Sequence, residues 1–275
     1  MRKWRYICPK YRAMNDHKIS AVLNTYNAEE HLDRVLSALK GFDEIVVCDM
    51  ESTDRTLEIA RAHGCRIVTF PKGNINICEP ARNTAIQAAT HPWVLVVDAD
   101  EVVTPELRDY LYHTIALPDP PTALKVALRN MFLDEEDKSR YPDYHIRFFR
   151  RDKVNWPPTI HSIPQIDGTI DKVPSNPRSL AMIHFPHSTL RIFQKQVNYC
   201  ENDANRRLAK SGKVSLLRLI FRPKWDFFKR YILHGAILRG RTGYIQARLD
   251  SQYRFMVLAR LYEKQTLSQT RHKSN

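Results

Sequence analysis

At 275 residues and 43% hydrophobic content, the chain is long and apolar enough for a sizeable core, built as one large domain or as one domain with an appendage. Five scattered cysteines (Cys8, Cys48, Cys65, Cys78, Cys200), odd in number and without a CxxC pair, argue against a zinc ribbon or disulfide framework and for a reducing compartment. No run of about 18 apolar residues occurs and the basic start MRKWRYICPKYRAMNDHK lacks an apolar segment, so neither a transmembrane helix nor a secretory signal is expected, and the formal charge of +13 calls for a cytosolic acidic partner: nucleotides, nucleic acid or anionic lipid.

Taken in order, KISAVLNTY reads as a strand and AEEHLDRVLSAL as a helix, with Leu32, Val35, Leu36 and Leu39 at helical spacing. DEIVVCDM is a second strand, DRTLEIARAHG a helix closed by Gly64, and CRIVTF a third strand. EPARNTAIQAAT is a helix with Pro80 in its first turn, and WVLVVDADE a fourth strand. Strands alternating with helices predict βαβ units and a parallel sheet, and the unbroken apolar runs predict strands covered on both faces. Beyond Pro105, TALKVALRNMFL and YHIRFFRR read as strands between polar, Pro-rich segments. Residues 188–211 read as a charged helix, and from 215 onward the chain is helical, basic and aromatic. The expected organisation is a basic N-terminal segment (1–17), an α/β domain (18–211) and a helical C-terminal extension (212–275).

The fourth strand ends in three carboxylates, Asp98, Asp100 and Glu101. Like charges this close repel, and burying them is costly unless something pairs with them; a divalent cation would. In open α/β sheets ligands bind beyond the carboxyl ends of the strands. The first strand delivers Tyr26 and Asn27 to that edge, and the second delivers Asp49 followed by Asp54. Mg²⁺ is usually held by one or two carboxylates plus substrate phosphates, so DAD suggests a metal–diphosphate site. Taken alone, DADE is also a solvated turn capping the next helix, Asp54 a helix cap and Tyr26 a core aromatic. Joint placement on one rim is what favours a ligand.

NTYNAEEHL, DEIVVCDMESTDRT, EPARNTAI and WVLVVDADE resemble, in order and spacing, the successive signatures of family 2 glycosyltransferases of the GT-A fold, over roughly residues 18–110. More loosely, YPDYHIRFFRR, WPPTIH, HFPH and the tail FRPKWDFFKRYILHGAILRGRTGY resemble lipopolysaccharide core β-1,4-glucosyltransferases. The resemblance implies a Rossmann-like, mostly parallel sheet flanked by helices, and inverting transfer of a sugar, a hexose, from a nucleoside diphosphate donor such as a UDP-sugar to a hydroxyl of a lipopolysaccharide core or other surface glycan. It assigns Tyr26 to stacking on the base, with Asn27 beside it, Asp49 to the base edge, Arg82 to base or phosphate, Asp98 to ribose or metal-bound water, and Asp100 to a Mg²⁺ or Mn²⁺ ion. The family writes DSGSTD or DDGSTD where this chain has Met50-Glu51, so a glycine is missing.

Inversion by direct displacement needs a base within hydrogen-bond reach of the acceptor hydroxyl. Relatives carry a carboxylate in a YPDY-like segment and another after a VH pair; this chain keeps Asp143 but has Ser162 after His161, which leaves Asp143 as the expected base. An ordinary turn after Pro142 is the other reading of Asp143, and the acidic stretch Asp134–Asp137 is a weaker source. In IHFPHS, His184 is the expected further metal ligand, with His187 beside it, and His161 could line the acceptor pocket.

Residues 213–264 interleave cations such as Arg218, Arg222, Lys224, Lys229, Arg230 and Arg239 with aromatics such as Phe221, Trp225 and Phe228. Such helices suit an anionic membrane interface; an ordinary packing layer with a basic face is the alternative. The expectation is a cytoplasmic protein, peripheral on the cytoplasmic face of the inner membrane. No zinc-finger, RRM or KH signature is present, so nucleic acid is not expected. The rival readings are a Mg²⁺-dependent nucleotidyltransferase, disfavoured by the lack of glycine after the first strand, and a catalytically inactive GT-A binding protein.

Overall fold

The computed structural model describes residues 17–75, 78–133, 135–159, 162–185, 188–208 and 213–273. The chain divides into two compact units: Met1–Met131 with Arg140–Phe185, and Phe132–Ser139 with Pro186–Asn275.

The first unit is built on a mostly parallel sheet. β1 (Ile19–Thr25), β2 (Glu44–Asp49), β3 (Arg66–Thr69) and β4 (Trp93–Asp98) are all parallel, in the spatial order β3-β2-β1-β4. Helices α1 (Glu29–Ala38), α2 (Thr56–Ala62) and α3 (Glu79–Ala88) make the crossovers. All seven residues of β1 are buried. Its alternate side chains divide between two cores, Ile19, Ala21 and Leu23 on one face and Val22 on the other. β4 does the same, with Leu95 and Val97 opposed to Val94 and Val96. Leu32, Val35 and Leu36 of α1 cover the first face; Ala81, Ala85 and Ile86 of α3 cover the second. A strand covered on both sides has no polar face to show, which explains why apolar residues fill consecutive positions of β1 and β4 instead of alternating with polar ones.

Beyond β4 the sheet changes direction. β8 (Asp143–Arg150) pairs antiparallel with both β4 and β6 (Ala123–Phe132), so the returning strands lie next to the first βαβ block. β12 (Met182–His184) pairs parallel with β6. β5 (Glu101–Val102) lies antiparallel to β12 at the far edge, and β11 (Ile170–Lys172) pairs with β6. Between β5 and β6, α4 (Pro105–Ile115) is capped by Thr104, whose hydroxyl accepts from the Leu107 amide, and buries Leu107, Leu111 and Ile115. Two further short strands, β9 (Val154–Asn155) and β10 (Gln165–Ile166), form a separate antiparallel pair.

Among its described residues the second unit contains β7 (Glu135–Glu136) and the α-helices α5 (Thr189–Leu208), α6 (Leu216–Phe228) and α7 (Gly240–Lys273). One buried apolar cluster gathers Ala204, Val214 and Leu261 with Leu219 against it, and Ala236, Ala247, Val257 and Leu258 are buried as well. Polar links add to it: Arg254 to Asp226 at 2.6 Å, Arg260 to Glu201 at 2.7 Å, and the Tyr253 hydroxyl to Asp203 at 3.0 Å. Pro223 interrupts the hydrogen bonding of α6, and its carbonyl accepts from the Ser251 hydroxyl at 2.9 Å. Two tail cations turn inward. Arg230, 5% exposed, is ion-paired with Asp137 and donates to the Ser139 hydroxyl, while Arg239 Nη1 lies 3.5 Å from Asp137. By contrast Leu216, Leu217, Phe221, Trp225 and Leu238 stand exposed. No helix of the described residues is long and apolar enough to cross a membrane.

Candidate active site

The loops after β1 and β2 are stitched together. The Asn27 amide donates to Ser52 Oγ at 2.9 Å, and Asn27 Oδ1 accepts from the Thr53 amide at 2.8 Å. The Glu29 amide donates to Asp54 Oδ2 at 3.1 Å, and Glu29 Oε2 accepts from the Arg55 amide at 3.1 Å. Asp54 Oδ1 also accepts from the Thr56 amide, so Asp54 serves the first turns of both α1 and α2. Burial pushes its carboxyl pKa up, but these hydrogen bonds outweigh burial and hold it below the usual range.

Asp49, 1% exposed at the end of β2, accepts from the hydroxyls of Thr25 and Ser52 and from the Ser52 amide, at 2.9, 2.6 and 2.8 Å. Asn27 and Glu51 have left-handed backbones, φ +48° and +61°. Glu51 therefore occupies, without glycine, a conformation that glycine adopts at little cost. Its carboxylate accepts from the Lys72 amide at 3.2 Å. Lys72 in turn places its ammonium 4.6 Å from the ring centroid of Tyr26, which is 44% exposed.

The three carboxylates after β4 have different partners. Asp98 Oδ1 accepts from Arg82 Nη2 at 2.6 Å, and its Oδ2 accepts from Arg147 Nη2, also at 2.6 Å. The same Arg147 nitrogen lies 2.5 Å from Glu101 Oε1, and Glu101 Oε2 accepts from the Asp98 amide at 2.9 Å. Two arginines thus balance Asp98 and Glu101, where the sequence alone suggested a cation for all three carboxylates. Burial pushes the Asp98 pKa up, but Arg147 and Arg82 outweigh it and hold the carboxyl far below the ordinary range. Arg82 lies in α3 and is 6% exposed; its Nε and Nη1 are buried without a hydrogen-bond partner among the described residues. Its guanidinium sits 4.7 Å over the ring of Trp156, whose backbone is clasped on both sides by Asn83.

Asp100 is brought to a different group. Its carbonyl accepts from the Phe185 amide at 2.8 Å, and the next residue, Glu101, stands opposite His184 across β5 and β12. Asp100 Oδ2 lies 3.6 Å from His184 Nε2, an ion-pair distance longer than a hydrogen bond. Although burial pulls the imidazole pKa down, neighbouring Asp100, Glu101 and Asp98 bring it above its ordinary value. His184 Nδ1 is 2.8 Å from Asn130 Oδ1, and Asn130 Nδ2 donates to Asp143 Oδ2 at 2.9 Å. Asp143 Oδ1 meets His145 Nε2 at 3.1 Å.

Among the described residues no group of three or more His, Cys, Asp or Glu is arranged to hold a metal ion by itself. Asp100 and His184 offer one hard oxygen and one imidazole nitrogen, a donor set that fits Mg²⁺ or Mn²⁺ when phosphate oxygens complete the shell. His161, His187 and Asp134 lie outside the described residues. Ser162 donates its hydroxyl to the Pro157 carbonyl at 2.6 Å. Of the acidic stretch, Asp137 belongs to the second unit and is tied to Arg230.

Sequence reasoning missed Arg147, Asn130 and Lys72. Arg147 did carry a signal. It interrupts the apolar run Ile146–Phe149, and a charge in a buried strand requires a buried counter-charge. Asn130 and Lys72 carry no such mark.

A helix-flanked, mostly parallel sheet with acidic and basic side chains gathered at the carboxyl ends of its strands defines an α/β enzyme. The sequence model described as "Glycosyl transferase family 2" matches residues 20–165, more than half of the 275, and the chain belongs to that family. It is a glycosyltransferase. A relative named "Uncharacterized glycosyltransferase" from Rickettsia bellii is 24% identical over 258 residues, covering 90% of this chain and 86% of the relative. The lipopolysaccharide core biosynthesis glycosyltransferase LpsC of Rhizobium meliloti is 24% identical over 263 residues, covering 90% and 93%. Among solved structures, glucosyl-3-phosphoglycerate synthase from Mycobacterium tuberculosis, in complex with Mn²⁺, UDP and phosphoglyceric acid, is 24% identical over 41% of this chain and 43% of that one. Its TM-score of 0.36 is too low for any functional reading to transfer.

Proposed function

We propose that the protein is an inverting hexosyltransferase that moves a sugar from a nucleoside diphosphate donor, a UDP-sugar, to a hydroxyl of a lipopolysaccharide core or other surface glycan. The observation that carries this reading is Arg82. A buried guanidinium with two unspent donors beside Asp98 is costly on its own and is answered by a phosphate-bearing ligand. The LpsC relative, similar over most of both chains, supports the acceptor class.

In this reading Tyr26 offers an aromatic face to the base, with Lys72 beside it and Asn27 at the turn. Asp49 meets the base edge from its hydrogen-bonded place at the end of β2. Asp98 meets the ribose and Arg82 the diphosphate. Asp100 and His184 would hold Mg²⁺ or Mn²⁺, which when bound supplies Lewis-acid neutralisation of the leaving diphosphate. Asp143 accepts the acceptor's hydroxyl proton as that oxygen attacks the anomeric carbon, opposite the breaking carbon–oxygen bond to the diphosphate. Residues 18–211 would carry the transfer and 212–275 the membrane attachment. Exposed Leu217, Phe221 and Trp225, with Arg222, Lys224 and Lys229 alongside, support peripheral binding to an anionic cytoplasmic membrane face.

The test is a panel of nucleoside diphosphate sugars with Mn²⁺ or Mg²⁺, following release of the nucleoside diphosphate and the anomeric configuration of the product. Metal-dependent release from a UDP-hexose with an inverted product is expected. Release from no donor on the panel overturns the reading, and a retained configuration overturns the displacement step.

A further inference from the structure

We propose that Asn130 is a positioning residue that sets the candidate base and the candidate metal ligand at once, through the two ends of one amide; this rests on the roles proposed for Asp143 and His184. The placement follows from strand register. On β6, Asn130 is the direct parallel partner of His184 on β12. Two residues earlier, Leu128 stands opposite Asp143 on β8. Asn130 therefore lies between two side chains with opposite needs. Ionised Asp143 can only accept, and the Asn130 amide nitrogen donates to it at 2.9 Å. His184 Nδ1 lies 2.8 Å from the amide oxygen, which can only accept, so this contact places a proton on Nδ1.

That proton has a consequence. With Nδ1 protonated, a neutral His184 presents its lone pair at Nε2, the nitrogen that faces Asp100 at 3.6 Å. A metal-ligating histidine typically donates its other N–H to an oxygen that fixes its tautomer and ring orientation. Asn130 supplies that oxygen, and its other end orients the carboxylate assigned to proton removal. Neither an aspartate nor an apolar side chain of similar size does both.

The two ends are separable. Asn130→Asp keeps the acceptor for His184 but removes the donor and sets a like charge against Asp143. Asn130→Leu removes both. Mn²⁺ binding to the full chain in the presence of saturating UDP, measured by electron paramagnetic resonance, reads the metal side. Steady-state kinetics of UDP release from a UDP-hexose with Mn²⁺ reads the other. Asn130→Leu is expected to weaken Mn²⁺ binding about 10–100-fold, the usual loss when a ligand's supporting partner is removed. Asn130→Asp is expected to keep Mn²⁺ affinity while kcat falls and donor KM stays near that of the parent. His184→Ala and Asp100→Ala serve as references. If both references lose Mn²⁺ and Asn130→Leu does not, the inference fails while the site reading stands. If the references also bind as the parent does, the metal reading fails and takes the inference with it. Should Asn130→Leu not fold, Asn130→Asp decides: kcat equal to the parent's overturns the proposal. A packing role alone predicts lower thermal stability in both variants without this split between metal affinity and turnover.

Discussion

Arg147 Nη2 lies 2.6 Å from Asp98 Oδ2, and the opposite oxygen of that carboxylate is 2.6 Å from Arg82. Asp98 is thus held between two cations, and Arg147 extends the chain of charge to Glu101, which is 1% exposed. Removing one member of a buried ion cluster leaves its partners uncompensated. Arg147→Met is therefore expected to cost about 3–5 kcal/mol of stability. Urea denaturation checks this, and an unchanged midpoint and slope would show that Arg147 contributes nothing to the fold.

Asp143→Asn keeps shape and removes proton-accepting power. Turnover is expected to fall about 10²-fold or more, the scale of general base catalysis, while calorimetric donor affinity stays close to the parent's. Full turnover in the variant would move the base assignment elsewhere.

Asp137, 3% exposed, carries a pH signature. Burial pushes its carboxyl up, but the Ser139 hydroxyl and the guanidinium of Arg230 outweigh that and hold it below the usual carboxylate range. A depressed folded pKa gives stability that is complete above the unfolded value of about 3.9 and is lost as pH falls through the folded value. Asp137→Asn should therefore destabilise strongly at pH 6, with the penalty shrinking below about pH 4. Denaturation midpoints of parent and variant across that range test it; a penalty independent of pH would contradict the assignment.

The membrane reading is best tested without touching Arg230, which is buried against Asp137 and faces no lipid. Replacing exposed Arg222, Lys224 and Lys229 with Gln should weaken sedimentation with anionic vesicles, and raised salt should weaken the parent's in the same direction. Neutral vesicles should bind little of either. Equal binding of variant and parent to anionic vesicles would rule out this face.

The alternation of strands and helices through β4 was legible because the central strands and the helices that cover them are buried in their own periodic way. Leu32, Val35 and Leu36 sit at helical spacing, β1 is buried along its whole length, and β4 is apolar and buried up to Asp98. Asp49, Asp98 and Asp100 could be placed on one rim for the same reason, since each follows directly from a strand end. Asp54, open between ligand and cap on sequence, is engaged at the starts of α1 and α2. Long-range register was not legible. The pairing of Asn130 with His184 joins residues 54 apart in sequence, and nothing local marks either for the other. The same holds for Arg147 and Asp98, 49 apart, and it is why the arginine beside Asp98 was not anticipated.

The reciprocal stitching of the loops after β1 and β2 has a dynamic consequence. Each loop satisfies amides of the other through Asn27, Glu29, Ser52 and Asp54, so neither can open without exposing donors on both. The two loops form one opening unit, and their amides should exchange with solvent at a common rate. Whatever settles against Tyr26 at the tip of one loop thereby slows exchange at the Thr53 and Arg55 amides in the other, so a base resting on an aromatic ring would be registered across the rim as hydrogen-exchange protection, with no backbone displacement required.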